Sequence, residues 1–113
     1  MGRWIDICAI DDLQANSGVC ALVEGKQIAI FFTPEDNAVY AIDNYDPFGK
    51  AQVLSRGLIG DIKGEPMIAS PLYKQHFSLK TGQCFEDETV KNTVYTIRIE
   101  NNRVEISLEE AAQ

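Results

Sequence analysis

The chain reads as an all-β sandwich of short antiparallel strands with a loop-rich insertion. Three observations predict this. Short apolar runs of strand length recur along the whole chain, Gly- and Asn-bearing turn signals separate them, and no long stretch carries helical spacing. With about nine such strands and little helix, a two-layer β architecture is the economical way to bury the apolar faces.

Trp4-Ile5-Asp6-Ile7-Cys8 alternates and opens the chain as a strand, and Asp11-Asp12-Leu13 marks a turn, since aspartate favours turns. Runs 19–23 and 27–32 flank Glu24-Gly25-Lys26, a short glycine-bearing link that predicts a hairpin. Pro34 and Asn37 end the second run, and 39–43 forms the next strand. Segment 44–66 is the exception: it holds Pro47, Gly49, Gly57, Gly60, Gly64 and Pro66 and reads as a long functional loop with a short helix over 51–58. Residues 67–69 and 76–79 are short strands, and Lys80-Thr81-Gly82 turns the chain. Residues 94–100 alternate, Asn101-Asn102 tolerates positive φ, and 103–107 returns antiparallel. The division expected is a single domain over 1–108, with 44–79 as a subdomain, and a polar tail over 109–113.

Composition narrows the function. A chain of 113 residues suits one domain. Ten basic against seventeen acidic residues give a net charge of −7, which disfavours nucleic acid and anionic lipid as partners. No apolar run approaches the length of a membrane span, and the N-terminus has no apolar signal core, so the expected location is cytoplasmic. Cys8, Cys20 and Cys84 are too few and too widely spaced for a disulfide framework. Cys8 and Cys20 sit in apolar runs and are expected to be buried, whereas Cys84 follows a glycine turn and is expected to be the more exposed thiol.

Catalytic motifs are missing. There is no Gly-x-Ser-x-Gly elbow, and Gly57-Leu58-Ile59-Gly60 fits neither a P-loop nor a dinucleotide fingerprint. His76 is the lone histidine, and a metal site needs three or four ligands, so it reads as structural or partner-facing. Glu86-Asp87-Glu88 reads as a solvated face or an acidic patch that meets a partner.

Two proline loops carry the remaining information. Asn44-Tyr45-Asp46-Pro47-Phe48-Gly49 follows a strand, and so does Ala69-Ser70-Pro71-Leu72-Tyr73, which runs on into Phe77, the Thr81-Gly82 turn and Cys84. This layout resembles a Rieske domain, whose C-P-H and C-P-x-H loops hold a cluster on two thiolates and two imidazoles. Asp46 and Phe48 stand where the first loop has its ligands, and Ser70 and Tyr73 where the second has them. None of the four is a ligand, and rings at Phe48 and Tyr73 would fill the space a cluster takes.

Across residues 3–108 the chain resembles the small subunit of assimilatory NAD(P)H-dependent nitrite reductase, through Asn44-x-Asp46-Pro47-Phe48, Val53-Leu54-Ser55-Arg56-Gly57-Leu58, Ala69-Ser70-Pro71-Leu72 and Cys84-x-Glu86-Asp87. The resemblance implies a Rieske-like β-sandwich without a cluster and with no cofactor on this chain. It also implies a large-subunit partner that carries FAD, siroheme and a 4Fe-4S cluster and reduces nitrite to ammonium with electrons from NADH. No catalytic residue is expected here, and the expected partner interface is Phe48, Arg56, Tyr73 and His76. Two alternatives stay open: a ferredoxin-like electron carrier, and a cluster-less Rieske-like binding module of another oxidoreductase.

Overall fold

The structure is a computed structural model that describes residues 4–35, 37–72 and 74–110. These form eleven strands: β1 (Trp4–Ala9), β2 (Gly18–Val23), β3 (Lys26–Thr33), β4 (Ala38–Asp43), β5 (Tyr45–Asp46), β6 (Ala51–Gln52), β7 (Leu58–Ile62), β8 (Glu65–Ala69), β9 (His76–Ser78), β10 (Val94–Glu100) and β11 (Arg103–Glu110). Single 3-10 turns at Ile10–Asp12 and Leu54–Arg56 are the helical elements among the described residues.

A six-stranded antiparallel sheet of order β1-β11-β10-β4-β3-β2 makes the body. A three-stranded sheet β7-β8-β9 and the small pair β5-β6 make the inserted subdomain. Between them lies β3, and its sequence shows why: Ile28, Ala29, Ile30 and Phe31 are all fully buried. Alternation sends Ile28 and Ile30 into a body core with Ala41, Val104 and Ile106. The same alternation sends Ala29 and Phe31 into a second core with Ile42, Leu54, Ile68 and Phe77. A strand covered on both faces reads as a continuous apolar run. Each such side chain is worth roughly 1.5–3 kcal/mol in transfer free energy, so the second core is what clamps the subdomain to the body.

Three hairpins close on paired positive-φ residues, the geometry that matches strand twist. Glu24-Gly25 links β2 to β3, Lys63-Gly64 links β7 to β8, and Asn101-Asn102 links β10 to β11. The first and third agree with the sequence expectation. The second falls inside the segment read as a long loop, and it corrects that reading: 44–66 holds β5, β6, β7 and the start of β8. The helix expected over 51–58 is replaced by β6, the 3-10 turn and the start of β7. Gly57 leaves the turn in an extended conformation, and it packs so closely on β8 that a Cβ there would lie 2.2 Å from the Ala69 carbonyl oxygen. At the other end, β11 runs to Glu110, two residues into the segment expected to be a polar tail, and pairs it with Tyr95. Residues 111–113 lie outside the described residues.

The cysteines reverse their expected order. Cys20 is exposed, because it sits on the outward face of β2 between Val19 and Ala21, which pack inward. Cys8 is half-buried. Cys84 is buried at 2% exposure, because its bridge to Phe77 draws it into the second core. No helix among the described residues is long and apolar enough to cross a membrane.

Candidate functional site

The two proline loops meet at the free end of the subdomain, and their first residues are bonded to each other. Asp46 is fully buried and Ser70 is 1% exposed. The Ser70 hydroxyl donates a hydrogen bond to Asp46 Oδ2. Each of the two also organises its own loop in the same way. Asp46 Oδ1 accepts the Phe48 N–H at 2.9 Å, and Ser70 Oγ accepts the Leu72 N–H at 3.2 Å. A side-chain oxygen that accepts the N–H two residues on makes a turn independent of any bound group. The loop bases are fixed by Lys50 N–H to Asp46 O at 2.7 Å and Ser70 N–H to Gln75 O at 2.9 Å.

Phe48 is half-buried, its ring 6.1 Å from that of Phe77 at 45°, so it extends the second core. Gly49 lets the loops close: a Cβ there would lie 2.4 Å from Leu72 Cδ1. Tyr73 lies outside the described residues. Arg56 is exposed at the end of its 3-10 turn. His76 is half-exposed on β9 and bonds through Nδ1 and its backbone N–H to the Glu86 carboxylate. The sheet register ties these positions together, since Leu58 pairs with Ala69 and Ala69 with His76. Asp46, Phe48 and Ser70 are therefore brought into one cluster, His76 stands beside the second loop across from Ala69, and Arg56 lies on the 3-10 turn that packs on β2 and β3.

The donor chemistry does not fit an iron–sulfur cluster. Such a cluster takes thiolates and imidazoles. Asp46 and Ser70 spend their capacity on each other and on backbone N–H groups, and Phe48 offers a hydrocarbon ring. His76 is held by Glu86. Cys84 has its Sγ 3.6 Å from a Glu86 oxygen, and burial pushes its thiol above the ordinary range, away from the thiolate a metal needs. Among the described residues no three His, Cys, Asp or Glu side chains converge as a metal group. Burial raises the Glu86 carboxyl, but the His76 N–H and ring outweigh it and hold that group below its ordinary value.

The bridging roles of two asparagines were not expected from the sequence, although Asn44 stands in the first loop motif. Asn44 is 1% exposed; its Oδ1 accepts the Ser55 N–H at 2.7 Å, and its Nδ2 donates to Gln27 Oε1 at 3.4 Å. Asn92 is 8% exposed and donates from Nδ2 to the carbonyls of Asp43 and Tyr45 at 3.2 and 2.8 Å. Both stitch the subdomain to the body. The available signal was an asparagine at a strand boundary, Asn44 directly after β4 and Asn92 two residues before β10.

Comparison with known proteins agrees with the geometry. The profile of the Rieske-like [2Fe-2S] domain matches residues 3–107. The nitrite reductase (NADH) small subunit of Salmonella typhimurium is 47% identical over 106 residues, covering 94% of this chain and 98% of that one. The solution structure of the Escherichia coli protein NirD superposes with a TM-score of 0.86 at 46% identity, over 95% of this chain and 97% of the other. A nitrite reductase [NAD(P)H] large subunit from Klebsiella oxytoca is 39% identical over 101 residues, which are 89% of this chain and 10% of that much longer one. The chain thus belongs to the Rieske-like domain family and, within it, to the small subunits of NADH nitrite reductase.

Proposed function

We propose that this small subunit docks on the nitrite reductase large subunit and supports its activity without carrying electrons on a cluster of its own. The observation that carries this reading is the Klebsiella oxytoca relative, in which a homologous stretch is one tenth of a large-subunit chain. A domain that is covalently part of the large subunit in one organism has a natural partner in that subunit when it is a separate chain. The buried Asp46–Ser70 pair supports the second half of the reading, because it occupies the loop bases with groups that hold each other.

In this reading the FAD, the siroheme and the 4Fe-4S cluster all belong to the large subunit, which reduces nitrite to ammonium with electrons from NADH in the cytoplasm. Residues of the tip touch it: Arg56 is exposed, His76 is oriented by Glu86, Phe48 rests on Phe77, and Tyr73 completes the proposed contact. Arginine and aromatic side chains dominate binding energy at such contacts.

Tagged small subunit should retain the large subunit from cells grown on nitrate, and the pure small subunit should be colourless and free of iron. Arg56→Ala and Tyr73→Ala should each weaken the complex about tenfold or more, as expected for anchors worth above 1 kcal/mol. Undiminished complex and activity in both variants would sink the tip contact, and stoichiometric iron in the pure chain would sink the cluster-free reading.

A further inference from the structure

The six-stranded body sheet ends in two unpaired edges, and these edges face each other. β1 hydrogen-bonds to β11 alone and β2 to β3 alone, and among the described residues no backbone bond joins β1 to β2. Ile5, Asp6 and Ile7 of the first edge and Ala21, Leu22, Val23 and Glu24 of the second line a groove of about 380 Å³. Its floor is apolar, since Ile5, Ile7, Ala21 and Val23 all belong to the body core. On its rim Leu22 is 74% exposed, among the most solvated large apolar side chains described. Only the first part of β2 is covered, where Gly18 packs against the Ser55 carbonyl. The wall of the sandwich therefore has a slot at which two strand edges and a strip of core are open together.

Such a slot has a definite complement. Open edges present unpaired N–H and C=O groups that another extended backbone satisfies best, and the core beneath rewards alternate apolar side chains.

The chain ends show what lies beside it. Trp4 directly precedes the groove residue Ile5 and pairs with Ser107, while β11 runs on to Glu110 opposite Tyr95, so the start of the domain lies at the groove. In the Klebsiella oxytoca relative the other nine tenths of the chain must connect at one or both of these ends. Where that connection is made before Trp4, large-subunit chain is delivered next to the open edges.

The geometry points to the β1/β2 slot as the receptor for an extended, alternately apolar segment of the large subunit, added as a strand that closes the body sheet. This rests on the proposed association with the large subunit and is a second contact, separate from the tip.

Hydrogen–deuterium exchange on the reconstituted complex of the two subunits tests it. Amides on the open edges of β1 and β2 exchange fast in the free small subunit and should slow by at least tenfold in the complex. Leu22→Glu, at an exposed position, should remove that protection and weaken association at least tenfold while exchange in β3 stays unchanged. Arg56→Ala should leave any residual complex with β1/β2 protection intact. Protection confined to 44–58 and 70–76, or wild-type binding by Leu22→Glu, would overturn the strand-addition reading while leaving the association itself standing. Protection that grows with small-subunit concentration in the absence of the large subunit would assign the slot to a second copy and overturn it equally. Failure of the wild-type subunits to associate would remove the proposed function along with this inference.

Discussion

Replacing Asp46 by Ala should cost this domain a large part of its stability, and the structure sets the size. The carboxylate is fully buried and accepts two hydrogen bonds, from the Ser70 hydroxyl and from the Phe48 N–H at 2.9 Å. Ser70 is 1% exposed, so its hydroxyl has no water to turn to. A buried donor left without its acceptor costs about 1–3 kcal/mol, and bonds to a charged group sit toward the upper end. Two such losses amount to about 4 kcal/mol, against a total of about 5–15 kcal/mol for a domain of this kind. In a thermal melt this is a fall on the order of 15 °C. Ser70→Ala removes the shared bond and the 3.2 Å acceptor for the Leu72 N–H, and should cost about 2 kcal/mol. Asp46→Asn keeps an oxygen for Phe48 and an N–H for Ser70 Oγ, so it should be the mildest of the three.

The decisive quantity is the coupling between the two sites, measured by urea unfolding of both Ala variants and their double variant. If the pair bridges the loops, the double variant should be less destabilised than the sum of the singles by about 1.5–3 kcal/mol. Single variants that add within about 0.5 kcal/mol, the scatter of independent sites, would refute the bridge and leave two unrelated turn residues.

Other expectations follow from the same coordinates. Asn44→Ala strands the Ser55 N–H, bound at 2.7 Å, and should lower stability by about 2 kcal/mol in urea. Glu86 has its carboxyl held below its ordinary value of 4.5 by the His76 N–H and ring against the opposing effect of burial, so its stabilisation is present above 4.5 and is lost as pH falls through the folded value. Glu86→Gln should therefore lower the melting temperature modestly at neutral pH, where that stabilisation is present, and the gap to the wild type should close as pH falls below 4.5. A disulfide reagent should modify exposed Cys20 first and Cys84 only as the domain unfolds, because Cys84 is 2% exposed; simultaneous labelling of both would contradict the placement of Cys84 in the second core.

Local signals carried the parts of the fold that were legible. Gly25 and the Asn101-Asn102 pair announce their hairpins because positive φ is a property of one or two residues. The run through β3 announces a strand, although not that both its faces are covered. The β7–β8 hairpin was illegible: Gly60 interrupts the alternation, and the pairing is decided by Ile68 and Phe77, which the run 58–62 does not contain. The cysteines were misplaced for a related reason. An apolar run does not say which of its faces turns inward, and the half of β2 that faces water includes Cys20. At the site, the loop positions and their missing ligands could be read directly, but the bond between them joins residues 24 apart and depends on how the subdomain folds over the body.

That bond explains how the tip keeps its shape without a metal. A cluster of the Rieske type crosslinks two loops through four ligands, and deleting the ligands alone would leave two facing turns and a void. Here the base of each loop supplies an oxygen that takes its own loop's N–H two residues on, Asp46 Oδ1 and Ser70 Oγ, and the Ser70 hydroxyl donates across to the other Asp46 oxygen, Oδ2. Above them Leu72 closes over Gly49, and below them Phe48 rests on Phe77. The substitutions are thus mutually dependent. Cys at Asp46 alone would weaken the charge-assisted acceptor of Ser70, and Cys at Ser70 alone would leave the Asp46 carboxylate buried with a weak S–H donor. Each route back to a metal ligand passes through a less stable loop pair, so a chain with this arrangement is held to its present shape by packing and hydrogen bonding. What such a tip presents is a fixed surface, held by bonds between its own two loops.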